Sequence, residues 1–223
     1  MKMKLLLSAL TKFLSGLLMV GLLLFLPAGT FKYLNAWLFY VLLFAPMMLL
    51  GAILLIKSPD LLRKRLDSRE KEKTQKGVIA LSTLLFFSGF IVAGLDFRFG
   101  WSCIPTWLVA VASAILLIAY GLYAEVMREN AYLSRTVKVQ ENQKVIDTGL
   151  YGIVRHPMYA VTLWLFLAIP MVLGSWFSLI CFLHYPIVIV IRILNEEKVL
   201  TEGLDGYAEY KKKVKYRLIP FIW

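Results

Sequence analysis

Residues 157–194 read PMYAVTLWLFLAIPMVL, then GS, then WFSLICFLHYPIVIVIRIL. Two apolar runs, near 157–173 and 175–194, meet at Leu173-Gly174-Ser175, and a junction that short predicts a tight helical hairpin. Each arm approaches the ~20 residues needed to cross ~30 Å of hydrocarbon. Pro170 and Pro186 fall inside the arms, where each removes a backbone donor and predicts a kink. Polar residues are held back to the two ends: Arg155-His156-Pro157-Met158-Tyr159 opens the first arm, and Glu196-Glu197 follows the second. Titratable groups beside hydrocarbon are costly unless paired or wetted, so this bracketing marks a candidate site.

Upstream of the hairpin, four further runs of spanning length lie near 5–26, 33–57, 77–95 and 104–127. They account for a chain of 223 residues that is 60% hydrophobic and 17% charged, with a mean hydropathy of +0.72. A soluble domain would be nearer half apolar, with about a quarter of its residues charged. The first run follows Met1-Lys2-Met3-Lys4, but its core is too long for a signal peptide and Pro27-Ala28-Gly29-Thr30 is a poor cleavage site, so it reads as a retained helix. The fold class is therefore all-α: a polytopic membrane helical bundle of about six crossings, ending in the hairpin and a C-terminal interfacial helix.

The basic residues test that count. Of 25 Lys and Arg, only Lys32 and Arg98 fall in the loops after the first and third spans; the others gather at the N-terminus, in 57–76, in 128–155 and after Arg192. Six crossings with both termini inside, and with Arg155, His156 and the glutamates on the cytoplasmic face, satisfy the positive-inside rule in every loop. The same distribution explains the net charge of +11 through membrane lipid and topology and excludes nucleic acid as the partner, because the cations flank apolar spans instead of forming one soluble basic face. Loop 58–76 alternates charges of both signs and reads as a solvated surface helix. Cys103 and Cys181 have neither metal-ligand nor CxxC spacing, and no metal site is indicated.

Beyond the sixth run, Tyr207, Tyr210 and Val214 recur at helical spacing, with Gly203 and Gly206 marking a break before them. This predicts a short helix along the interface, followed by an apolar tail, Ile219-Pro220-Phe221-Ile222-Trp223, tucked back against the bundle with Trp223 at headgroup level. Arg192 and Glu196 stand at i, i+4 and are expected to pair. Glu196 and Glu197 point about 100° apart on a helix, so one faces a pocket while the other meets a basic residue. Taken singly, Glu197 is most simply a helix-end charge, His156 a helix-start residue ahead of Pro157, and His184 a core histidine bonded to a neighbouring helix.

In order and spacing, Gly149-Leu150-Tyr151, Arg155-His156-Pro157-Met158-Tyr159, Glu196-Glu197 and Tyr207-Ala208-Glu209-Tyr210-Lys211-Lys212-Lys213-Val214 resemble the isoprenylcysteine carboxyl methyltransferases, which belong with the phospholipid methyltransferases, integral-membrane enzymes. The resemblance spans about 129–223. It implies a single membrane domain with N-terminal spans in 1–127 and a methyltransferase core in 128–223, S-adenosylmethionine as methyl donor, and a lipid-like or prenylated acceptor. It implies that Lys144, Ile146, Gly149 and Tyr151 line the adenosyl part, and His156, Tyr159 and Glu196 the homocysteine end. Arg155 would clamp a carboxylate acceptor with Glu197 orienting it; for an amine or thiol, Glu197 or His156 would be the base. Family members often carry Arg where this chain has Lys213, which weakens a carboxylate-binding role there. Two other readings remain: a membrane reductase using NADPH, for which no Gly-rich phosphate cradle stands out, and a non-catalytic membrane protein, for which polar residues at the midplane are missing.

Overall fold

A computed structural model describes residues 2–67, 70 and 72–223. Among them there are helices and turns but no strand. The long helices are α1 (Lys2–Ala28), α2 (Leu34–Lys57), α4 (Lys73–Phe99) and α5 (Thr106–Glu129), with the short α3 (Pro59–Leu66) between the second and third of them. The hairpin follows as α6 (Pro157–Leu173), α7 (Trp176–Phe182) and α8 (Tyr185–Gly203), and α9 (Tyr207–Lys213) closes the series. Five helical segments, counting Trp176–Gly203 as one, are long and apolar enough to cross a membrane, and α6 is a shorter apolar helix beside them. This is a polytopic membrane helical bundle.

A continuous apolar core built from α1, α2, α4, α5 and the hairpin includes Leu24, Phe39, Leu116, Val172 and Phe182. The opposite faces carry exposed Leu, Ile, Val and Phe, as lipid-facing helices do. The second hairpin arm differs from expectation. Pro186 does not kink a continuous helix; the arm breaks at Leu183-His184, and Pro186 takes the first turn of α8, where its missing donor is harmless. His184, at that break, is exposed and its Nδ1 lies 3.0 Å from the Ile180 carbonyl of its own arm, so it is not a core histidine reaching a neighbour.

The tip of the hairpin is tied by a buried polar knot. Gly174 turns the chain at φ +82°, and a Cβ there would lie 2.5 Å from Asn35 Nδ2. Asp96, at the end of α4, accepts from the Ser102 backbone N–H (2.7 Å) and from the Ser102 and Ser175 hydroxyls (2.6 and 2.5 Å). Tyr33 donates to the Leu173 carbonyl at 2.6 Å. A buried carboxylate holding three donors stabilises the folded state through charge-assisted bonds. Asp96→Ala is expected to cost about 2 kcal/mol, read as a lower melting temperature in detergent.

Loop 58–76 is not a merely solvated segment. α3 is the expected surface helix, but it buries Leu61 and Leu62, and Arg65 reaches the Tyr123 hydroxyl and, at 3.3 Å, the Ser134 carbonyl. An expectation of solvation follows from its charge; its burial follows from the span partners that this charge meets.

Candidate active site

Where α5 ends, the chain from Asn130 to Thr148 loops out and returns through a 3-10 turn, Gly149–Gly152, to the start of α6. Asn130 shapes the exit: its Oδ1 accepts from the Tyr132 N–H at 2.9 Å and its Nδ2 donates to the Tyr151 hydroxyl at 3.0 Å. Gly149 has φ +53°, and a Cβ on it would meet Glu129 Cδ at 2.9 Å, so its place in the turn is a backbone requirement. The loop is covered by α9. Tyr207, Tyr210 and Val214 pack with Leu204 against Val139, Val145 and Leu200, so the apolar face read from their spacing is covered by the chain's own loop. The Tyr210 hydroxyl donates to the Tyr151 carbonyl at 2.7 Å, and Lys213 Nζ meets Asp147 Oδ2 at 2.6 Å. The surface pair with Lys213 holds the Asp147 carboxyl below its ordinary range.

The C-terminal tail completes the frame. The first N–H groups of a helix lack internal partners, and just ahead of α6 the Arg155 and His156 N–H groups donate to the Tyr216 and Arg217 carbonyls, each at 2.9 Å. The tail closes on itself, with the N–H groups of Arg217, Leu218 and Ile219 on the Trp223 carbonyl and the Arg217 guanidinium 5.2 Å from the Trp223 ring centre. The tail docks through the Tyr216 and Arg217 carbonyls and the Trp223 ring, while Phe221 and Ile222 of the apolar run expected to tuck in stay exposed, and it anchors the residues that open the hairpin.

Loop, hairpin and α9 frame a partly open cavity. Seven of the nine residues marked by the sequence line it: Lys144, Ile146, Tyr151, Arg155, His156, Tyr159 and Glu196. Gly149 and Glu197 do not. The cavity also takes Asn130, Met158, Leu200, Leu204, Tyr207 and Tyr210, together with a wall between Tyr132 and Lys138 that carries no recognisable motif. Of the lining residues with no site role expected from the sequence, Tyr207 is the most telling. It is 4% exposed and its hydroxyl has no hydrogen-bond partner among the described residues, although it borders the cavity. Burial, with Glu197 and Glu196 nearby, pushes its phenol well above the ordinary value, so it is a neutral donor.

The two adjacent glutamates part company as their helical angle requires. Glu196 faces the cavity and accepts from the Tyr159 hydroxyl. The expected direct Arg192–Glu196 pair is replaced by a bridge, because Arg192 Nε donates to that same hydroxyl at 2.8 Å. Glu197 turns the other way, 4% exposed, among three basic side chains: its Oε1 lies 2.7 Å from Arg155 Nε and 3.4 Å from His156 Nε2, and its Oε2 accepts from Arg217 Nε at 3.0 Å. The Arg155 contact is an ion pair whose N–H is not aligned for a hydrogen bond. Arg155 Nη1 is turned toward the Lys211 and Val214 carbonyls, at 3.4 and 3.3 Å. A carboxylate ringed by three basic groups is a poor base. Arg155 and Glu197 thus sit together in a buried cluster that joins the hairpin to the tail, with Glu197 beside the guanidinium it was expected to orient. The signal for Arg217, the sole Arg in the basic tail, was present but had no motif to single it out.

The hairpin, its lead-in loop and the C-terminal helix thus frame a polar cleft at one end of a membrane bundle. Residues 107–205, from the start of α5 to just beyond α8, match the phospholipid methyltransferase family model. No curated protein matches the chain. The matched segment holds the loop and both hairpin arms; α9 and the tail lie beyond it.

Proposed function

We propose that the chain transfers a methyl group from S-adenosylmethionine to a lipid-like or lipidated acceptor at the cytoplasmic face, with both termini on that side. The observation that carries this reading is the cavity's combination of one inward carboxylate, Glu196, with the unpartnered buried hydroxyl of Tyr207. A ligand bearing both an α-ammonium and an α-carboxylate needs such an acceptor and such a donor close together. Ile146, Tyr151, Leu200 and Leu204 offer an apolar and aromatic wall for the adenine, and Lys144 stands at the exposed rim. The Tyr159 ring and the Glu196 carboxylate suit a sulfonium. Gly149 enters this reading through the turn that aims Tyr151, not through the cavity wall.

When bound, S-adenosylmethionine supplies an electrophilic methyl carbon. The protein's task is then to hold the acceptor in line and keep water out. Arg155 contributes positive charge at the cavity wall and Glu197 positions it. A carboxylate acceptor fits this arrangement better than an amine, because no proton need be removed and Glu197 is already occupied. The parting of the chain into N-terminal spans (1–127) and a core (128–223) follows the same reading.

Titration of detergent-solubilised protein with S-adenosylhomocysteine and, separately, NADPH tests the reading: binding of the first alone is expected, and binding of NADPH alone would overturn it. Incubation of lipid extracts with labelled methyl donor then identifies the acceptor by mass. Tyr207→Phe offers a sharper check. Removing an unpaired buried hydroxyl relieves a desolvation cost, so melting temperature should hold or rise, while S-adenosylhomocysteine affinity falls about fivefold. A variant with lower stability and unchanged affinity would show the hydroxyl has no ligand to meet.

A further inference from the structure

The family match begins at residue 107, yet one buried side chain from well before it reaches the cavity's polar residues. Gln75, in the first turn of α4, is fully buried, with both ends of its amide engaged. Its Oε1 accepts from Arg192 Nη1 at 2.9 Å; its Nε2 donates to Asn195 Oδ1 at 2.5 Å and to the Arg192 carbonyl at 3.3 Å. One amide thus holds both the backbone and the guanidinium of Arg192. The remaining nitrogens of that fork are also committed, Nη2 to the Arg135 carbonyl at 2.7 Å and Nε to the Tyr159 hydroxyl at 2.8 Å.

The consequence is directional. A phenol has one proton to give, and a hydroxyl that already accepts from Arg192 is turned to donate elsewhere. It donates to Glu196, the carboxylate that faces the cavity. The same lead-in to α4 ties down the cavity wall: Glu70 Oε2 accepts from the Val137 N–H at 3.0 Å, and Asn195 Nδ2 donates to Glu72 Oε1 at 3.1 Å.

We infer that Gln75 is a positioning residue for the methyl-donor site, setting the direction of Glu196 through Arg192 and Tyr159, so that the site extends into the N-terminal half of the chain. This rests on the proposed role of Glu196. A rigid, fully connected polar relay holds a charged group where a ligand needs it, and loss of an outer member is felt at the ligand without any direct contact.

The test is a double-mutant cycle read by titration with S-adenosylhomocysteine, using Gln75→Met, Tyr159→Phe and the pair. Gln75→Met is expected to weaken binding about tenfold in the wild-type background and less than about twofold where Tyr159→Phe has already cut the relay. Equal weakening in both backgrounds would assign Gln75 a purely structural role and overturn the inference, as would unchanged affinity in the first. Should Gln75→Met fail to fold, Arg192→Lys enters the same cycle from the middle of the relay, with the same two outcomes. If the wild-type protein binds no S-adenosylhomocysteine, the reading of the site itself falls; if it binds and the cycle is additive, only the role of Gln75 does.

Discussion

Glu196→Ala is expected to reduce S-adenosylhomocysteine affinity by about a hundredfold or more, the loss that follows when a buried ammonium is left without its carboxylate. Glu196 is the glutamate that lines the cavity, while its neighbour is consumed by three basic side chains. The substitution also leaves the Tyr159 hydroxyl with a proton to donate and no acceptor, although Arg192 keeps its bonds to Gln75 and the Arg135 carbonyl. The fold should survive with a modest drop in melting temperature from the stranded Tyr159 hydroxyl, and the larger effect should appear in binding. Glu196→Gln, which still accepts from Tyr159 but lacks the charge, should fall between alanine and wild type. Titration of the three proteins under one set of conditions decides it, and wild-type affinity in Glu196→Ala would remove Glu196 from the site.

The second large effect is of the opposite kind. Glu197→Ala should destabilise the folded protein by about 3–5 kcal/mol, because it strands buried Arg155 beside His156 and Arg217 with no anion among them. Thermal unfolding in detergent should show the loss, accompanied by reduced methyl transfer even at temperatures where the variant is folded. The cost comes from the uncompensated charge and not from the missing contact, so it can be separated. Pairing Glu197→Leu with Arg155→Met removes both charges and should recover much of the stability while turnover stays low. A melting curve for Glu197→Ala that overlays the wild type would mean the cluster is wetter and looser than its distances imply.

These two adjacent residues show how far the sequence reaches. Their helical angle predicted that one would face a pocket and the other a basic partner, and it does so because backbone geometry alone sets that angle. Which basic partner was not legible. Arg155 and His156 lie about forty residues earlier and Arg217 twenty later, and their convergence depends on how the hairpin returns and how the tail docks. The same holds for Arg192. Its i, i+4 spacing suggested a direct pair with Glu196, but Tyr159, from the other arm, lies between them and takes both bonds.

The membrane spans and the hairpin were legible because each depends on local quantities: run length, the absence of charge, and a two-residue junction at Gly174-Ser175. The spacing of Tyr207, Tyr210 and Val214 likewise located α9. Burial by lipid and burial by protein leave the same apolar stripe, however, so only the packed structure shows that Val139, Val145 and Leu200 cover it. The cavity wall from Tyr132 to Lys138 has no periodic pattern to read, since irregular backbone is shaped by what it packs against.

By itself, then, the sequence determined a helical membrane protein and the residues that bracket the hairpin, for these follow from hydropathy and periodicity along a continuous stretch of chain. The tertiary structure alone decided that Glu196 faces the cavity and Glu197 the cluster of Arg155, His156 and Arg217, that Tyr207 keeps an unpartnered hydroxyl there, and that Gln75 belongs to the same network. Each of those depends on how groups distant in sequence pack together, and hydrogen-bond geometry leaves no trace in local composition.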